Sequence, residues 1–138
     1  MNVPEAVRWL AYARSDLNAA RALLRDPEYF PRQVCFLAQQ AAEKAIKAVF
    51  VLLDIEFPFT HDLDRLRDLL PEGWRVKTEF PDLAELTVWA VEARYPGDLP
   101  DVVEADVRQS LRTAEAVYDT IEQDMRPFET QGGAVLPH

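Results

Sequence analysis

The stretch Gln39–Phe50, QQAAEKAIKAVF, decides the class of fold. Successive residues of a helix turn by about 100°, so Gln40, Glu43, Lys44 and Lys47 fall within an arc of about 100°. Opposite them lie Cys35, Ala38, Ala42, Ala45, Val49 and Leu53. This is an amphipathic helix whose alanine-lined face lets another helix approach closely. Its polar stripe has two readings. It is a solvated face, in which Glu43 and Lys47 form an i,i+4 pair worth about 0.2–0.5 kcal/mol. Or it is a recognition surface, in which two neighbouring lysines share an anion while Gln40 both donates and accepts hydrogen bonds.

The pattern continues outward. Upstream, Leu10, Ala13, Leu17, Ala20 and Leu24 recur at 3, 4, 3, 4 spacing behind Pro4, which predicts a helix ending near Asp26-Pro27. The QQAAEKAIKAVF helix is expected to run from Pro31 to about Asp54. A loop through Phe57-Pro58-Phe59 leads to a short helix bearing Leu63, Leu66, Leu69 and Leu70, with Thr60 or Asp62 as its N-cap. A fourth segment after Pro81 aligns Leu83, Leu86, Ala90 and Ala93 and stops at Arg94-Tyr95-Pro96-Gly97-Asp98. The last helix, about 101–125, aligns Val103, Val107, Leu111, Ala114, Tyr118, Ile121 and Met125, and Pro127 closes it. No segment alternates with a period of two. The expectation is an all-α chain, an antiparallel bundle of four to five helices over residues 1–126, with 127–138 a disordered tail.

At 138 residues and 49% hydrophobic content, one domain with its own core is expected. The apolar run Ala48–Leu53 is too short to span a bilayer, and Met1-Asn2-Val3-Pro4-Glu5 does not read as a signal peptide, so a soluble cytoplasmic protein is expected. Cys35, the single cysteine, reads as a small buried hydrophobe. With His61 and His138 the only imidazoles, neither a zinc site nor any other metal or cofactor is expected. The net charge of −9 argues against a broad nucleic-acid-binding surface. That charge is uneven. Residues 1–54 carry seven Lys/Arg against six Asp/Glu, a net +1, whereas residues 55–138 carry eight against eighteen, a net −10. Such asymmetry steers a polar partner toward one half.

Several residues read structurally in the first instance. Arg94 suits a helix C-terminus, where the dipole favours a cation by about 0.3–1 kcal/mol. Trp9, Trp74 and Trp89 read as packing anchors. Asp16, inside the apolar register of the first helix, suggests an inter-helix pair with Lys44 or Lys47.

Four pieces in order carry a resemblance: WLAYARSDLNAARALL at Trp9–Leu24, QQAAEKAIKAVF, THDL at Thr60–Leu63, and RYP at Arg94–Pro96. Together, over about residues 5–125, they resemble the HEPN domain, the "higher eukaryotes and prokaryotes nucleotide-binding" family. The resemblance implies a small helical bundle, commonly a homodimer, often encoded beside a minimal nucleotidyltransferase. Some members are ribonuclease toxins whose arginine is followed, after four to six residues, by a histidine. Arginine there holds phosphate and histidine exchanges protons. Arg94 is present here, but no histidine lies between it and His138.

The expectation is therefore a non-catalytic HEPN-type module. It would bind a nucleotide, a polynucleotide end or a minimal nucleotidyltransferase partner, or serve as half of a toxin–antitoxin pair. Gln40, Glu43, Lys44, Lys47 and Arg94 are the binding residues expected. The alternative is a divergent metal-independent ribonuclease using Arg94 with His61, Asp98 or Asp101. Phe36 and Val51 border the polar stripe, and such a mixed face suits the interface of a dimer.

Overall fold

The computed structural model describes residues 1–90 and 101–131. Among the described residues, six α-helices and no strand make up the fold. The helices are α1 (Val3–Leu23), α2 (Pro31–Leu52), α3 (Leu63–Asp68), α4 (Val76–Glu79), α5 (Ala84–Thr87) and α6 (Glu104–Gln131). A 3-10 turn, Val88–Ala90, continues α5.

Local chemistry sets most of the helix ends. Asn2 caps α1, its side-chain oxygen accepting from the Glu5 amide at 3.3 Å, and Pro4 sits in the first turn where its missing N–H costs nothing. At the end of α2, Asp54 adopts φ +55°; its amide donates to the Val51 carbonyl, and that of Ile55 to Phe50. That is a left-handed C-terminal cap built on an aspartate instead of the usual glycine. Asp62, and not Thr60, caps α3: its carboxylate accepts from Asp64 and Arg65, while the Thr60 hydroxyl accepts from the Asp62 amide.

Long helices pack around α2. The Asn2 amide donates to the Leu52 carbonyl and Lys44 pairs with Asp16, so α1 and α2 run antiparallel. Arg21 bonds Glu115, and Arg14 lies close enough to Tyr118 to act on its hydroxyl, so α6 also runs antiparallel to α1. The alanines allow this closeness. Ala38, Ala41, Ala42, Ala45 and Ala48 of α2, and Ala6, Ala13 and Ala20 of α1, are fully buried. Leu10, Leu17, Ile46, Phe50, Ile121 and Met125 supply the volume between them. Trp74 and Trp89 are buried as anchors, Trp9 packs edge-on to Phe57, and Cys35 is wholly buried, where desolvation pushes its thiol pKa up.

Two boundaries differ from expectation. The fourth segment is a single α-turn followed by a 3-10 turn, and Ala93 with Arg94-Tyr95-Pro96-Gly97-Asp98 lies outside the described residues. Pro127 does not close the last helix. α6 passes through it to Gln131, and residues 132–138 lie outside the described residues. Proline removes one hydrogen bond, but tertiary contacts on both sides compensate. Arg75 binds Asp124 and Gln123 before it, and Phe128 just after it stacks on Trp74 with ring centroids 5.6 Å apart. Among the described residues no helix is long and apolar enough to cross a membrane.

Candidate functional site

Glu43 is the centre of the polar stripe, and it is buried. Its side chain is 6% exposed and that of Lys47 is 12% exposed, so the pair expected on a wet face lies largely out of water. One carboxylate oxygen accepts from Lys47 Nζ at 2.9 Å. The other accepts from Gln39 Nε2 at 3.1 Å and from His61 Nδ1 at 2.7 Å. Burial alone would raise the Glu43 pKa. The hydrogen bonds from Gln39, Lys47 and His61, with the charge of Lys47, outweigh that and hold the carboxyl below its ordinary value of 4.5. An ionised carboxylate only accepts, so it is Nδ1–H of His61 that donates.

Two elements converge here. α2 presents Gln39, Glu43 and Lys47 at successive i,i+4 positions, and the loop before α3 brings His61 over them. Gln39, fully buried, spans the two: its amide also donates to the His61 carbonyl at 3.2 Å. Gln40 in turn donates to the Gln39 side-chain oxygen at 2.7 Å. Below the loop, Phe57 packs edge-on to Trp9 and Phe50, and Lys47 Nζ lies 5.0 Å from the centre of its ring. One turn away, Lys44 Nζ pairs with Asp16 at 2.6 Å, with side chains 31% and 18% exposed. The inter-helix role foreseen for Asp16 falls to Lys44 and not to Lys47.

Of the residues singled out from the sequence, the structure thus gathers Gln40, Glu43, Lys47 and His61, with Lys44 beside them. Arg94 and Asp98 lie outside the described residues, and Asp101 is exposed ahead of α6. Sequence reasoning missed Gln39. Its signal was the i,i+4 spacing to Glu43, but adjacent Gln40 has the same chemistry and sits on the nominal polar arc. Among the described residues no group of three His, Cys, Asp or Glu is placed to hold a metal ion.

The architecture is thus an all-helical bundle whose second helix carries a buried Glu43–Lys47 pair, hydrogen-bonded to the exposed His61 ring of the loop before α3. The HEPN domain model matches residues 6–124, and the chain belongs to that family. It is also similar to the crystal structure of TT1696 from Thermus thermophilus, at 28% identity and a TM-score of 0.74. That likeness covers 89% of this chain and 98% of the other. No curated protein matches the chain.

Proposed function

We propose that the chain is a non-catalytic HEPN module, working as a homodimer, that binds a nucleotide or polynucleotide end on the face formed by Gln40, Lys44, Lys47 and His61. Its partner would be a minimal nucleotidyltransferase, the two forming a toxin–antitoxin pair. The observation that carries the binding role is the buried Glu43 carboxylate. It fixes Lys47 from the helix and the 53%-exposed His61 ring from the loop side by side. An ammonium has three donors, so one carboxylate contact does not exhaust Lys44 or Lys47. Gln40, Lys44 and Lys47 belong to the near-neutral N-terminal half, which repels an anion less than the −10 half does.

Calorimetric titration with adenosine monophosphate tests this. Lys44→Ala and His61→Ala each are expected to weaken binding tenfold or more, about 1.4 kcal/mol. Helix content should stay unchanged, since Lys44 and His61 are partly or well exposed and alanine favours helix. Unchanged affinity in both variants would show the stripe to be structural. Lys47→Ala is the poorer probe, because it strips a buried carboxylate of its counter-charge.

One observation favours a second reading, ribonuclease action: a histidine oriented by a buried carboxylate is how a general base is held. The non-catalytic reading predicts that mixed RNA stays intact on incubation with the protein. Cleavage that disappears in both His61→Ala and Arg94→Ala would replace it.

A further inference from the structure

Between the two anchored ends of the loop that carries His61 stands Phe59, whose side chain is wholly exposed. A single exposed apolar residue is ordinary, and Phe30 is another at 74% exposure. Phe59 differs in its placement. Its ring centroid lies 6.4 Å from that of His61, at a tilt of 58°. The loop beneath it is held at both ends. On one side Phe57 packs into Trp9 and Phe50. On the other, Gln39 grips the His61 carbonyl, and the Leu63 amide donates to Thr87 Oγ1 at 3.1 Å. The ring is therefore presented on a fixed backbone beside the exposed imidazole, and a planar partner loses little further loop entropy by stacking on it.

We propose that Phe59 is the stacking platform for the base of a nucleotide whose phosphate lies against His61 and Lys47. This rests on the nucleotide-binding reading and deepens it by naming the ligand class: a base-bearing ligand with one phosphate, free or at a polynucleotide end. Stacking on an aromatic ring is tolerant of base identity, so the site selects for a base, not for a particular one. The limit to one phosphate comes from charge. Glu56 and Asp62 stand exposed on the same loop, and additional phosphates meet like charge there.

The experiment compares adenosine monophosphate, ribose 5-phosphate and magnesium-free adenosine triphosphate by calorimetry, on wild type, Phe59→Ala and Phe59→Trp. The monophosphate is expected to bind about tenfold tighter than ribose 5-phosphate, and no more weakly than the triphosphate. Phe59→Ala should erase the tenfold gap without changing ribose 5-phosphate affinity, and Phe59→Trp should restore it. If ribose 5-phosphate binds as tightly as the monophosphate in wild type, the stacking role is overturned while the phosphate site stands. If neither binds, the nucleotide reading itself falls. If Phe59→Ala leaves monophosphate affinity unchanged but lowers the mass found by light scattering, Phe59 belongs to an interface between copies, and the proposal is wrong.

Discussion

Glu43→Ala is expected to lower stability by about 3–5 kcal/mol, the usual loss when one partner of a buried ion pair is removed. The substitution leaves the Lys47 ammonium, 12% exposed, without its carboxylate, and the wholly buried Gln39 amide with the His61 carbonyl but without its second acceptor. It also frees the His61 ring from α2, so the loop before α3 keeps only the backbone tether from Gln39 to the His61 carbonyl there. Urea denaturation should show the loss as a lower midpoint at unchanged slope. Glu43→Gln separates charge from shape. The carboxyl pKa is depressed in the folded protein, so the stability contributed by the ionised form is fully present above its ordinary value of 4.5. It is lost as pH falls through the folded-state value. The gap between wild type and Glu43→Gln should therefore be widest near neutrality and close in acid. A gap that is constant with pH would mean that the carboxylate charge contributes nothing.

Trp74→Ala is expected to cost about 3–5 kcal/mol as a large-to-small core substitution. Trp74 is buried, its ring stacked on Phe128 within 13° of parallel. Phe128 follows the proline that should end α6, so removing its partner should do more than leave a cavity. Amide exchange is expected to accelerate selectively at residues 128–131, with the body of α6 protected up to Asp124 through Arg75. Exchange that rises evenly along α6 would show that the stack does not hold the helix beyond Pro127.

These two sites mark where reading by period and by local rule succeeds and where it stops. Periodicity carried the long helices because their apolar stripes repeat many times. Leu10, Ala13, Leu17 and Ala20 in α1, like Ala38, Ala42, Ala45 and Val49 in α2, are buried as the spacing requires. The short elements carry one or two turns, too few repeats to define a face. Leu69, grouped with Leu66 and Leu70 by spacing, is 50% exposed, while both of those are buried. Pro127 shows the same limit at a helix end. The local rule counts one lost hydrogen bond; the rings of Trp74 and Phe128, far apart in sequence, lie outside its reach.

The candidate site divides in the same way. Sequence alone determined that Gln40, Glu43, Lys44 and Lys47 share one side of α2, since helical geometry follows from residue number. It suggested too an inter-helix pair of Asp16 with Lys44 or Lys47, because a carboxylate among apolar positions is costly alone, and the structure supplies Lys44. Only the tertiary structure decided that the stripe is not a wet face. The loop bearing Phe57 and His61 folds back over α2, and that covering is what removes water from Glu43. Burial depends on what the rest of the chain lays over a residue, and spacing along one helix holds no record of that. The same contact turned an ordinary i,i+4 pair into a buried one and joined His61 to it across eighteen residues.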